Sequence, residues 1–188
     1  MSIFLRDDVV ARGRRTIIRR KRMADAADDY GWRSDEDLAR YDATMPVRVS
    51  FSDYQRSWSF DLRFTDLAIR SYAIEDENGR HIGNVMYYNL NRALGEAEVG
   101  ISIGDRGCWG RGYGSDALEA VLSFLFQETG LRRLYLHTLV WNQRAQRCFE
   151  KAGFQACGSS WRNGHTFLMM EVRREWVTSA AEPRSAAV

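Results

Sequence analysis

Three glycines crowd the run Trp109-Gly110-Arg111-Gly112-Tyr113-Gly114, where a strand-like segment gives way to a helix-like one. The first N–H groups of a helix have no partners within it, and the helix dipole adds partial positive charge there. Glycine removes the Cβ that would keep an anion from the backbone. The chemistry implied is binding of a phosphate or pyrophosphate. A dinucleotide fingerprint would need G-x-G-x-x-G and an acidic residue about 20 positions on, and Gly110 to Ser115 has the wrong spacing. A P-loop would need Gly-Lys followed by Ser or Thr, which this turn lacks. A turn that serves packing alone is the competing reading.

Other reactive side chains form no comparable constellation. His81, His137 and His165 are scattered, and Cys108, Cys148 and Cys157 do not stand with them at zinc spacing. No metal site is expected, and an odd cysteine count does not make a disulfide framework. Each is read as a packed imidazole or thiol.

Periodicity gives the elements that must hold the glycine turn. Thr16-Ile17-Ile18 is a strand core, and helices are expected from Lys21 to about Trp32 and from Ser52 to about Leu62. Ser71 to Glu75 and Ile82 to Leu90 read as antiparallel strands around the turn Glu77-Asn78-Gly79. Ala97 to Ile103 is a third strand, with Val99, Ile101 and Ile103 on one face and Glu98 on the other. From Gly112 a helix carries Leu118, Val121, Leu122 and Leu125 and stops at Gly130. A strand follows through Leu134, Leu136 and Val140, then a helix from Asn142 to Gly153, then a hairpin turning at Arg162-Asn163-Gly164. The order predicts an α+β fold: a mostly antiparallel sheet in which one strand–helix–strand insertion brings two strands side by side in parallel.

The bulk composition narrows the class. The chain has 188 residues, 45% hydrophobic and 28% charged, with a formal charge of +2. That charge sets up no strong field for nucleic acid. The charged start Met1-Ser2-Ile3-Phe4-Leu5-Arg6-Asp7-Asp8 does not suit a signal peptide, and no apolar run approaches a membrane span, so a cytoplasmic location without membrane contact is expected. The divisions expected are an N-terminal extension over 1–14, a domain over 15–176 and a disordered tail over 177–188.

Two motifs in order carry a family resemblance. Gly112-Tyr113-Gly114 resembles the core of the GNAT acetyltransferase signature Gln/Arg-x-x-Gly-x-Gly/Ala. About 28 residues on, Asn142-Gln143-Arg144-Ala145-Gln146-Arg147-Cys148-Phe149-Glu150-Lys151-Ala152-Gly153-Phe154 resembles the second signature, Asn-x-x-Ala-x-x-x-Tyr-x-x-x-Gly-Phe. Glu98 to Arg106, Trp32 to Asp35 and Leu38 to Tyr41 are similar to the branch of ribosomal-protein and spermidine N-acetyltransferases. The resemblance implies a GNAT-type mixed sheet of six to seven strands with about four helices, and a cofactor in a V-shaped opening between the two parallel strands. It implies transfer of an acetyl group from acetyl-CoA to a primary amine, a small molecule or peptide, with no metal. A homodimer is a further expectation.

By the same resemblance, Ile101, Ser102, Ile103, Trp109, Gly110, Arg111, Gly112, Tyr113, Gly114, Asn142, Arg144 and Phe149 are the cofactor-binding candidates. A primary amine with a pKa near ~10 is mostly protonated at neutral pH, so a base helps. Glu98 is the candidate base, directly or through a water, against the alternative of a solvent-facing strand carboxylate. Trp109 replaces the leading Gln/Arg, and Phe149 and Ala145 replace the tyrosine and serine that relatives use as acids. These departures motivate a second reading, a coenzyme A-binding sensor. A third, a nucleic-acid module using Arg12, Arg14, Arg15, Arg19, Arg20, Lys21 and Arg22, is disfavoured by the near-neutral charge. The acidic segment Asp25 to Asp42 is read as a solvated face or as a rim for a cationic acceptor.

Overall fold

The computed structural model describes residues 8–63 and 69–181, with six α-helices and eight strands among them. The strands β1 (Val9–Arg12), β2 (Thr16–Arg20), β3 (Arg70–Asp76), β4 (His81–Asn91), β5 (Glu96–Ile103), β6 (Arg133–Leu139), β7 (Gln155–Arg162) and β8 (His165–Arg173) form one sheet in the order β1-β2-β3-β4-β5-β6-β8-β7. All neighbours are antiparallel except β5 and β6. The α+β class and the mostly antiparallel sheet are as expected. The count exceeds the six to seven strands and four helices anticipated.

The extra elements are short ones. β1, inside the span read as an N-terminal extension, pairs with β2 and adds an edge to the sheet. The first helical segment opens with a 3-10 turn, Met23–Asp25, and continues as α1 (Ala26–Ser34) and α2 (Glu36–Tyr41). Asp35 breaks the two apart and caps α2, accepting from Leu38 N at 3.0 Å. α3 (Phe51–Arg63), α4 (Tyr113–Glu128) and α5 (Gln143–Lys151) lie where periodicity placed them. α6 (Arg174–Ala181) continues the chain past the start of the expected tail, and residues 182–188 lie outside the described residues.

Helix α4 supplies the core. Leu118, Val121, Leu122 and Leu125 are buried against Val99, Leu134, Leu136, Ile82 and Met170 of the sheet. Each such side chain contributes about 1.5–3 kcal/mol of hydrophobic stabilisation. On the opposite face lie α1, α2 and α3, anchored by ions. The Arg19 guanidinium bonds Asp25 at 2.7 Å and Glu75 at 2.6 Å, all three side chains nearly sealed from water. The basic run around Arg19 is thus no surface stripe: Arg19 and Arg22 both pair with Glu75.

Candidate active site

The parallel pair β5–β6 is short. It pairs at Glu96↔Arg133, Ala97↔Leu134 and Glu98↔Tyr135, whereas β5 runs on to Ile103 and β6 to Leu139. Beyond Glu98 the strands part, each still paired on its outer side, β5 with β4 and β6 with β8. Gly104 N–H donates to Ile82 O at 3.0 Å. Antiparallel alternation therefore turns the backbone of Ser102 and Gly100 toward β4, and that of Ile101 and Ile103 toward the opening. Ile103 O accepts from the Trp109 indole at 2.6 Å, and the same alternation aims the N–H groups of Ile101 and Ile103 into the gap.

The glycine turn closes one end of this opening. Gly110 (φ +71°) and Gly112 (φ +87°) are left-handed, and a Cβ on either would point into open space. Gly112 is the N-cap of α4 and offers no capping side chain, so the first amides of the helix stay available to an anion. At Gly114 a Cβ would meet Cys148 Sγ at 2.9 Å, so the glycine lets α4 and α5 pack closely. The turn is held from a distance. Asp116, in the first turn of α4, accepts from the backbone of Arg14, Arg15 and Thr16, and Arg15 Nη1 bonds Arg111 O at 2.7 Å. Arg15 also lies over the Tyr113 ring at 4.2 Å. The geometry fits a pyrophosphate: uncapped amides, an unobstructed approach, the exposed cation Arg111, and nearby the half-buried Arg15, which also pairs with Glu77 at 3.5 Å.

Opposite α4, a cavity of about 1440 Å³ spreads between the opening and α1, α2 and α3. Gly100, Ile101, Ser102, His137, Asn142, Ala145 and Phe149 line it, as do Lys21, Asp29, Trp32, Asp42, Tyr54 and Tyr88. Its volume exceeds that of an ordinary single-ligand pocket, about 300–1,000 Å³. Asp29 is consumed internally, accepting from Asn84 Nδ2 at 2.5 Å and from the Tyr54 hydroxyl, with Lys21 Nζ at 4.0 Å. Burial lowers the proton affinity of Lys21, partly countered by Asp29. Among the described residues Asp42 has no such hydrogen-bond partner; it meets solvent at the cavity, yet the protein packed around it raises its carboxyl to about 6, against the opposing pull of Arg33.

Glu98 lies on the face predicted for it but not in the open. Only 4% exposed, it accepts from His137 at 2.7 Å and from Asn89 Nδ2 at 3.0 Å. Burial, and then the Glu98 charge, raise the Tyr88 hydroxyl well above the ordinary tyrosine range, so Tyr88 remains a donor beside that carboxylate. The reading of Glu98 as a solvent-facing carboxylate therefore does not hold.

The structure brings Ile101, Ser102, Asn142 and Phe149 together on the cavity wall, while Trp109 to Gly114 line no part of it and join the site through Trp109, whose indole bonds Ile103 O and packs against Tyr41. Asn142 is the N-cap of α5, its side chain accepting from Ala145 N at 3.2 Å. Arg144 stacks its guanidinium 3.3 Å from the centroid of Trp109 and 4.7 Å from that of Tyr41. The acidic segment is mostly not a rim. Asp35 and Asp37 pair with Arg106, Asp28 faces His81, and of the segment's carboxylates Asp29 and Asp42 line the cavity. His137, read as a packed imidazole, and Arg15 are residues that sequence reasoning missed.

Among the described residues no group of three or more His, Cys, Asp or Glu side chains is placed to hold a metal ion, and no helix is long and apolar enough to cross a membrane. Residues 15–155 match the family model for the acetyltransferase (GNAT) domain. The spermidine N-acetyltransferase of Vibrio cholerae, solved with CoA and spermine, superposes with a TM-score of 0.75 at 22% identity, over 86% of this chain and 98% of that one. The aminoglycoside acetyltransferase AAC(6')-Ib, solved with coenzyme A, gives 0.73 at 20%, over 89% and 99%. A GNAT-family acetyltransferase from Bacillus anthracis gives 0.73 at 17%, over 88% and 98%. No curated protein matches the chain.

Proposed function

The chain belongs to the GNAT acetyltransferase domain family, and from that premise we propose that it transfers the acetyl group of acetyl-CoA to a primary amine by direct attack in a ternary complex. The observation that carries this is the parting of β5 and β6 after Glu98, with the uncapped amides of α4 at one end and a large cavity at the other. The amides from Gly110 to Gly114 would hold the pyrophosphate, with Arg111 and Arg15 adding charge. The pantetheine arm would run between the strands past Ile101, Ser102, Ile103, Asn142 and Phe149. Trp109 and Arg144, stacked on each other, would flank it.

Three tasks remain for the protein: freeing the amine of its proton, polarising the thioester and letting the thiolate go. The Ile101 N–H is the donor for the oxyanion, in the water-poor gap where a fixed dipole counts most. Glu98 governs deprotonation of the amine. A thiol pKa near ~8.5 makes the thiolate a tolerable leaving group without an acid, which suits Phe149 in the tyrosine position. The cavity side of the gap is the acceptor site, and Asp42 favours a cationic acceptor such as a polyamine, an aminoglycoside or a peptide N-terminus.

The test is release of free thiol from acetyl-CoA with polyamines, aminoglycosides, amino acids and ribosomal-protein N-terminal peptides. Amine-dependent release with an acetylated product is expected. Tight binding of acetyl-CoA with no acceptor turned over would instead support the sensor reading that Phe149 and Ala145 motivate.

A further inference from the structure

His137 stands on the cavity wall, two residues past the last β5–β6 pair, where β6 has lost its parallel neighbour. Its Nδ1 lies 2.7 Å from Glu98 Oε1, and the other carboxylate oxygen is held by Asn89 at 3.0 Å. A carboxylate only accepts, so in the neutral ring the imidazole proton sits on Nδ1 and the lone pair on Nε2. Nε2 is on the far side of the ring from Glu98, with no protein partner among the described contacts. The Tyr135 ring, edge-on at 6.0 Å, limits the freedom of the imidazole to turn. Glu98 itself does not line the cavity.

We propose that His137 Nε2 is the base that meets the acceptor amine, and that Glu98 is the positioning residue that fixes its tautomer and orientation. This deepens the acetyl-transfer reading and rests on it. A nucleophile's base, oriented in turn by a third group, is a recurring catalytic arrangement. In the step, the amine, already neutral after giving its first proton through Nε2 to solvent, bonds through nitrogen to the thioester carbonyl carbon, and the carbon–sulfur bond breaks. The proton shed by the nitrogen passes to Nε2, giving an imidazolium beside the Glu98 carboxylate, and then to solvent. The sulfur leaves as thiolate. The electron pairs balance with no further reactant.

The experiment compares full-length wild type, His137→Gln, His137→Gly and Glu98→Gln with acetyl-CoA and either spermine or kanamycin. His137→Gln is expected to lower kcat/KM by about 10²-fold with the Kd for acetyl-CoA unchanged. Added imidazole should restore part of the His137→Gly rate but none of the Glu98→Gln rate. Wild-type kcat/KM in His137→Gln, or a folded His137→Gly that imidazole does not rescue, would overturn the proposal. The ¹⁵N shifts of His137 give a readout independent of turnover: the Nδ1–H tautomer is expected, and the Nε2–H tautomer would overturn the proposal. If wild type acetylates neither amine, it is the acceptor reading that fails, and the tautomer decides the role of His137.

Discussion

Thr16 Oγ1 donates to Asp116 Oδ2 at 2.6 Å, tying the β1–β2 turn to the first turn of α4. The same carboxylate takes the N–H groups of Arg14, Arg15 and Thr16. One buried acceptor thus fixes the helix start that presents the glycine turn, and delivers Arg15 to Arg111 and Tyr113. Burial works against the Asp116 charge, but these hydrogen bonds outweigh it and hold the carboxyl below its ordinary value.

Asp116→Asn should therefore destabilise the fold by about 1–3 kcal/mol at neutral pH, the range for a buried donor left without its acceptor. The folded pKa is depressed, so the wild-type advantage is present above the ordinary carboxylate pKa of ~3.9 and is lost as pH falls through the lower folded value. Urea unfolding of both proteins at pH 7 and pH 3 checks this. A difference that stays constant over that range speaks against it.

Gly104→Ala should push α1 off the end of β5. A Cβ there would stand 1.9 Å from the Trp32 indole, which is packed against His81 at 4.8 Å. Overpacking of this kind costs about 1–3 kcal/mol. The expected readout is a lower unfolding midpoint together with a raised KM for the acceptor, because Trp32 lines the cavity.

Asp42 should give acceptor binding a pH dependence. Its side chain meets solvent at the cavity, yet the surrounding protein raises its carboxyl to about 6. It is protonated below that pH and negative above it, so KM for a cationic amine should fall as pH rises through about 6. Asp42→Asn should remove that step. Because the folded pKa is raised, ionisation of Asp42 weakens the fold between ~4 and about 6, and the same substitution should flatten that loss.

Phe149 should prove to be a packing residue with one edge in the cavity. It is 7% exposed and meets Phe154 in a T-shaped contact at 6.1 Å. Phe149→Ala should cost about 3–5 kcal/mol of stability and lower activity with it. Phe149→Tyr keeps the ring and adds a donor, so kcat should stay level or rise modestly. A large fall in kcat for Phe149→Tyr would show that the cavity cannot take a hydroxyl there.

The sheet from β2 to β8 was legible because β5 and β6 carry alternating apolar residues and its turns carry Gly79 and Asn163-Gly164. The glycine turn was legible because left-handed Gly110 and Gly112 are demanded by the backbone itself. β1 and α2, at four and six residues, are too short for periodicity to register. The link between Glu98 and His137 was hidden for a different reason. Two residues 39 positions apart meet only through the register of the short β5–β6 pair, which no local pattern encodes. Glu98 was placed on the right face, but not behind His137. Arg15, almost 100 positions from Arg111, reaches the turn only because Asp116 holds its backbone.

The central claim is that acetyl-CoA is held with its pyrophosphate on the amides at the start of α4. Calorimetric titration of acetyl-CoA into wild type and Gly112→Asp tests it most directly. Gly112 adopts φ +87° with open space at its missing Cβ, where aspartate adds both bulk and negative charge. The account predicts saturable binding to wild type, weakened by about 100-fold or more in the variant, equivalent to ~2.8 kcal/mol, with the circular dichroism spectrum retained. An equal Kd for the two proteins, or no binding to folded wild type, would contradict it.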